Sequence, residues 1–226
     1  MDSSEPAGIT RAGIDTETAA TLTVALVADA LDALGLREQV IASVVRPIQP
    51  GLRLVGRARP IEVRATDVIP EEPYVGEMEA LAALEPGDVA CYHVDAAVEA
   101  ALFGELFAVA ASAQGAVGVV VDGPVRDVRQ MRELGFPVFA SSASPYDTRG
   151  RAEVVAHDIP VTCGGVLVSR GDLIVGDDDG VVVVPAARVA DVVAAVTEKL
   201  AGEHGALADL RSGSSVHEVW ERWRVF

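Results

Sequence analysis

Apolar residues recur along this chain at two spacings, and the switches between them mark out its elements. Leu22, Leu26 and Leu31 follow a helical period. With Asp15 or Thr16 as cap and Gly35 as stop, they predict a helix reaching Leu34. Residues 51–65 (GLRLVGRARPIEVRA) show broken alternation and read as strands, with Pro60 marking an edge or a break. A loop at 70–75 leads to a short helix ending near Leu84, and the turn Pro86-Gly87-Asp88 opens a strand over 89–94. Ala97 to Gln114 is alanine-rich and helical, broken only by Gly104. Glycine costs about 1 kcal/mol inside a helix. A helix that begins at Gly104, with 97–103 as loop, explains it better, although a tolerated glycine is the competing reading.

The middle of the chain indicates the fold class. Ala116 to Val121 is a continuous apolar run, expected of a strand buried on both faces. Asp122-Gly123-Pro124 reads as a turn, followed by a helix from Arg126 to Leu134, the stop Gly135, and a strand over 137–140. Strand, helix, strand predicts a parallel βαβ unit with a right-handed crossover. After a polar loop at 141–150, short strands are expected at 153–157, 160–163, 166–168 and 173–175. The hairpin turn Asp178-Asp179-Gly180 and Val181 to Val184 complete an antiparallel or mixed β layer. The tail predicts helices over 186–200 and 203–210. A last amphipathic piece bears Val216, Val219, Trp220 and Trp223, and packs on the body or on a neighbouring subunit. With no repeat or linker, the expectation is one α/β domain over 15–226 behind a flexible leader at 1–14.

Composition narrows the functional classes. Of 226 residues, half are hydrophobic, and the formal net charge is −16. That balance repels polyanions and argues against nucleic-acid or anionic-membrane partners. The N-terminus lacks a basic, apolar signal, and no run of about 18 apolar residues occurs. A cytoplasmic protein is therefore expected. Cys91 and Cys163 fit no ligand spacing and read as buried thiols. The single lysine, Lys199, follows Glu198 in a polar helix, a poor setting for Schiff-base chemistry. Carbonyl chemistry here would call for a metal instead.

Two stretches carry candidate chemistry. Val121-Asp122-Gly123-Pro124-Val125-Arg126-Asp127 ends a buried strand and presents an arginine and an aspartate at a helix start. Ligands of open α/β sheets bind at such places. An arginine there can grip a carboxylate, and an aspartate can hold a divalent cation or its waters. The bland alternative is a helix cap beside an ordinary ion pair. Phe103-Gly104-Glu105-Leu106 would offer backbone N–H groups to an anion if a helix begins there.

Taken together, LFGEL (102–106), GAVGVVVDGPVRD (115–127), LGFPVFA (134–140), PVTCGG (160–165) and GDLIVGDDDGVVVVP (171–185) resemble the RraA-like family. That family includes metal-dependent class II pyruvate aldolases acting on 4-hydroxy-4-methyl-2-oxoglutarate or 4-carboxy-4-hydroxy-2-oxoadipate. The resemblance implies an α/β/β sandwich of the swivelling phosphohistidine-domain type with C-terminal helices. It also implies a homotrimer or hexamer with active sites at subunit interfaces. It assigns pyruvate binding to Arg126 and the divalent metal, Mg²⁺ or Mn²⁺, to Asp127. Carboxylate binding falls to the backbone of Gly104, Glu105 and Leu106, and support of the metal's water shell to Glu105. A glutamate from a neighbouring subunit completes the site. Glu203 fits best by position, with Glu198 as the alternative. Phe103 departs from the tryptophan of many such aldolases, and 66–80 matches no substrate-binding pattern.

The reaction implied is retro-aldol cleavage of a 2-oxo-4-hydroxy di- or tricarboxylic acid to pyruvate, with oxaloacetate decarboxylation passing through the same enolate. Arg126, Asp127 and Glu105 are its expected catalytic residues. The competing implication is a non-catalytic regulator, because the family's namesake binds and inhibits a ribonuclease.

Overall fold

The computed structural model describes residues 14–225. The expected leader lies outside them, apart from Ile14, which is buried. The first helix is two helices, α1 (Thr16–Thr21) and α2 (Val24–Ala33). Thr23 is extended and caps α2, while the Arg53 guanidinium donates to the carbonyls of Ala20 and Leu22 at the break. Strand β1 (Arg46–Pro47) is short, and β2 (Leu54–Ala65) is one unbroken 12-residue strand.

The remaining elements follow in order. They are α3 (Val75–Ala82), β3 (Asp88–Val94), α4 (Glu105–Ala113), β4 (Gly118–Val125), α5 (Val128–Leu134) and β5 (Val138–Ala143). Then come β6 (Ala152–His157), β7 (Val161–Cys163), β8 (Val166–Val168), β9 (Leu173–Asp177) and β10 (Gly180–Val184). After a short 3₁₀ turn the chain ends in α6 (Val189–Arg211) and α7 (Val216–Trp223).

The main sheet runs β1-β5-β4-β3-β2-β9-β10, and β6 also pairs with β2. Strands β2 to β5 are mutually parallel, and the β4–α5–β5 part is the parallel βαβ unit that the pattern predicted; β9 and β10 form the expected hairpin. Pro60 lies in a central strand, where a missing N–H is normally costly. Its position explains the tolerance. On that side β2 pairs with β9 as far as Arg57 and with β6 only from Ile61, so Pro60 sits at the handover.

The sheet is nearly closed. Residues 39–41 run beside β10, through Ile41 N–H to Val181 and Val183 N–H to Gln39, while β1 pairs with β5. One segment thereby bridges the two free edges.

Alternation along the strands sorts the core. Leu54, Val89, Cys91, Val120, Phe139, Ile174, Val181 and Val183 point inward, where the β7–β8 hairpin adds Val161, Cys163, Val166 and Val168. Both cysteines are buried free thiols, as expected. Their outward neighbours Ala90, Tyr92, Val119 and Val121 pack under α3, α4 and α5. Val175, Val182 and Val184 pack under α2 and α6. Period-2 burial on both faces is why these strands read as continuous apolar runs.

Two further expectations need correction. The turn at 122–124 is a bulge inside β4: Val121 faces Ala140 but Pro124 faces Ser142, one residue more on β4 than on β5. Asp122 anchors it by accepting the Gly164 N–H at 2.7 Å. The two tail helices over 186–210 are the single helix α6. Gly205 leaves room for the Trp223 ring, which folds back with α7 and donates to Asp209 at 2.8 Å. The amphipathic end thus packs on α6 of its own chain. Among the described residues no helix is long and apolar enough to cross a membrane.

Phe139 is fully buried inside the sheet, against the bare Cα of Gly176. Phe139→Ala should lower unfolding free energy by about 3–5 kcal/mol, read as a shifted urea midpoint at unchanged slope.

Candidate functional site

The site grows from the carboxyl end of β4. Residues 101–103 run alongside it: Leu102 N–H donates to Pro124, Phe103 bridges to Val125, and Arg126 N–H returns to Phe103 at 2.9 Å. This approach brings Gly104 against the start of α5. A Cβ at Gly104 would lie 2.6 Å from Asp127 Oδ2 and 3.0 Å from Arg126 Cγ, so a side chain there would displace the Asp127 carboxylate and the Arg126 stem. Helix α4 begins at once, without a side-chain cap. Its first N–H, of Glu105, donates to Asp127 Oδ2 at 3.2 Å. The helix therefore starts where the glycine argument placed it. Asp127 thus takes the first N–H in place of an N-cap side chain, and the helix start carries partial positive charge.

Asp127 adopts a left-handed backbone (φ 54°, ψ 34°), a conformation costly for residues other than glycine, asparagine or aspartate. Tyr74, at the start of α3, is also left-handed (φ 65°), and a bulky residue there is a genuine outlier. Both line one cavity of about 280 Å³, with Gly104, Leu106, Phe107, Phe103, Arg126, Asp147 and Thr148 among its walls. Strain of this kind concentrates at functional sites.

One guanidinium sits between two carboxylates. Arg126 Nη1 donates to Asp147 Oδ2 at 2.8 Å, and its Nε lies 3.8 Å from Asp127 Oδ2. Asp147 Oδ1 accepts the Tyr74 hydroxyl and the Arg149 N–H, each at 2.9 Å. Partial burial alone would raise the Asp147 carboxyl. The Arg149 amide, Arg126 and Tyr74 outweigh it and hold the group below its ordinary value. The same hydrogen bond to Asp147, helped by burial, pushes the Tyr74 hydroxyl up and keeps it protonated at neutral pH. Behind the wall Thr148 donates to Glu77 at 3.4 Å, and burial raises that carboxyl.

Of the predicted residues, Gly104, Leu106, Arg126 and Asp127 line the cavity together. Glu105 contributes its backbone N–H at the rim, and its side chain is exposed. Glu203 is elsewhere on this chain, on α6, 3.9 Å from Lys199, and Glu198 is exposed on the same helix. Sequence reasoning missed Tyr74, Asp147 and Thr148. Their only signal was negative: polar or aromatic residues in two loops, 66–80 and 141–150, with no periodic role.

Among the described residues no three His, Cys, Asp or Glu side chains cluster tightly enough to enclose a metal ion. Asp127 nevertheless suits a hard divalent cation that keeps most of its water. Its Oδ1 has no hydrogen-bond donor among the described residues, and Glu105 begins the adjoining helix.

Comparison with known proteins identifies the family and the fold. The RraA-like model, described as Aldolase/RraA, matches residues 24–183. A protein of Halalkalibacterium halodurans, provisionally named a 4-hydroxy-4-methyl-2-oxoglutarate aldolase, is 30% identical over 81% of this chain and 82% of its own. The structure of Streptomyces coelicolor RraAS2, described as an unusual member of the RNase ES inhibitor RraA protein family, superposes with TM-score 0.73 at 27% identity. That match covers 88% of this chain and 98% of that one. An uncharacterised Pseudomonas syringae protein shares the fold, with TM-score 0.78 at 24% identity over 90% and 94% of the two chains.

If the left-handed backbone at 127 is required, Asp127→Ala should be less stable than Asp127→Gly by about 1–2 kcal/mol in chemical denaturation. Because the Asp147 carboxyl is depressed in the folded state, its stabilisation is complete at neutral pH and is lost as pH falls through the depressed value. Carboxyl-carbon NMR should show Asp147 titrating below 3.8, and Arg126→Ala should move it upward.

Proposed function

The chain belongs to the RraA-like family, and from that premise we propose that it is a lyase releasing pyruvate from a 2-oxo-4-hydroxy acid at the Arg126–Asp127 cavity. The observation that carries this reading is the convergence of three groups on one small space: a hydrogen-bonded guanidinium, a half-exposed carboxylate and the start of helix α4. The name of the H. halodurans relative supports the same chemistry.

The parts divide the work. Free N–H groups at the start of α4 and the Arg126 guanidinium would receive the substrate carboxylate. Arg126 would also stabilise charge developing on the 2-oxo oxygen as the enolate forms. Its hydrogen bond to Asp147 restrains it, with the Asp127 carboxylate alongside, so little reorganisation is needed at that step. Phe103, Leu106 and Phe107 wall the cavity and limit water around the reacting carbon. Asp127, supported by Glu105, would hold Mg²⁺ or Mn²⁺, which when bound supplies Lewis-acid polarisation of the ketone. Glu203 of an adjacent copy would add an acid to complete the site in a trimer or hexamer. Oxaloacetate decarboxylation demands the same enolate stabilisation and would be a second activity of the site.

The kinship with RraAS2 favours a second reading, a regulator that binds a ribonuclease without catalysis. Pyruvate release coupled to lactate dehydrogenase separates the two. The assay would use oxaloacetate, 4-hydroxy-4-methyl-2-oxoglutarate and the pyruvate–acetaldehyde adduct 4-hydroxy-2-oxopentanoate. Release from at least one compound should need Mg²⁺ or Mn²⁺, stop with chelator, and fall about 10²–10³-fold in Arg126→Ala. No release above the metal-only blank from all three would reject the lyase reading in favour of the regulator.

A further inference from the structure

We infer that Glu77 is a positioning residue: through Thr148 it fixes the turn that carries Asp147, and so holds the Arg126 guanidinium where the cavity uses it. The kinetic part of this inference rests on the lyase reading, and the rest on geometry alone.

The turn at 147–152 is largely self-bonded. Arg149 N–H donates to Asp147 Oδ1, Arg151 Nη1 to the Asp147 carbonyl, and the N–H groups of Arg151 and Ala152 to the Thr148 carbonyl. Backbone bonds from Ala101 to Tyr146 and from Thr66 to Arg151 hold its two ends. Between those ends, residues 147 and 148 hydrogen-bond to other segments only through Tyr74, Arg126 and Glu77 among the described residues. Two of the three belong to the start of α3. Tyr74 donates to Asp147 at 2.9 Å, and Glu77, three residues on, accepts the Thr148 hydroxyl at 3.4 Å. Arg126 in turn depends on Asp147.

Glu77 is a costly way to make that attachment. It is 4% exposed. Burial raises its carboxyl and the charges of Asp147 and Glu153 add to the rise, while its own backbone N–H and Thr148 oppose it. Among the described residues no cation pairs with it, although Arg149 lines the same cleft beside Glu72 and Glu153. The fully buried Tyr92 hydroxyl, near enough for the Glu77 charge to raise it, has no hydrogen-bond partner. The other buried residues of α3 are Ala80 and Leu81, and a leucine at 77 would extend that apolar face at lower cost. A carboxyl kept against this cost, and bonded to a residue of the cavity wall, is expected where position matters more than stability. The Glu77–Thr148 bond is buried inside one chain, so neither a divalent cation at Asp127 nor an adjacent copy alters it. It places no restriction on the charges of the substrate.

Two variants of the full chain separate position from charge. Glu77→Gln keeps the shape and an acceptor for Thr148, and Glu77→Leu keeps the burial and removes the acceptor. Carboxyl-carbon NMR of Asp147 is one readout. Asp147 titrates below 3.8 and Glu77 above 4.5, so Glu77 is already neutral where Asp147 titrates, and its replacement removes no charge there. Asp147 should stay depressed in Glu77→Gln. In Glu77→Leu it should rise towards its ordinary value, as Asp147 loses register with Arg126 and Tyr74. The other readout is pyruvate release with Mg²⁺ from the best cleaved of the three compounds above. There kcat should fall about tenfold or more in Glu77→Leu and stay within about threefold of native in Glu77→Gln. If thermal denaturation shows that Glu77→Leu does not fold, Thr148→Val breaks the same bond from the other side and should raise Asp147 likewise.

An Asp147 carboxyl unmoved when the bond is broken overturns the inference. So does an equal shift in Glu77→Gln, or an unchanged kcat in Glu77→Leu. If Asp147 moves as expected but the native chain cleaves none of the compounds, the lyase reading fails and the positioning of Arg126 by Glu77 stands.

Discussion

Burial of both faces of one sheet governs where this chain can keep charge. Inward-facing side chains of β2 to β5, β9 and β10 fill the rolled interior, and outward-facing ones lie under helices. Charges along such strands are expensive unless paired. The buried Arg59 at mid-sheet accordingly meets Asp88 at 3.1 Å. Chemistry that needs water and mobile ligands is pushed to strand ends. The site occurs there, where β4 passes through a bulge and hands over to α5.

At that end the controlling feature is the close approach of the Gly104 backbone to the Asp127 and Arg126 side chains. Gly104 lies so near Asp127 and Arg126 that the start of one helix and the start of another share a carboxylate. The left-handed turn at Asp127 makes this contact geometrically available. Neither helix start is capped by its own N-cap side chain, so polar backbone groups that elsewhere would be satisfied locally are directed at a common space. A site of this kind is built mainly from backbone, and the few side chains in it hold one another in place.

The same arrangement bears on the two functional readings within the family. A surface that only binds a protein has no need of a guanidinium clamped between acids beneath a left-handed tyrosine. Pre-organisation of a single cation in a small cavity is what transition-state stabilisation requires. Leu106, 79% exposed at the rim, shows that this chain alone does not close the cavity.

Local periodicity in the sequence determined the kinds of elements, the parallel β4–α5–β5 unit, the β9–β10 hairpin, and the helix start at Gly104. Each follows from which face a residue buries or which backbone angles it tolerates. The pairing of Arg126 with Asp127 was legible because the two are adjacent. What only tertiary structure decided is the meeting of Tyr74, Gly104, Arg126 and Asp147, and the handover at Pro60 that lets one strand serve two neighbours. A bulge in place of the expected turn at 122–124 belongs to the same class, since a bulge exists only relative to the partner strand. These features depend on the order and register of strands far apart in the chain, and side-chain spacing carries no record of a contact between segments that the sheet alone brings together.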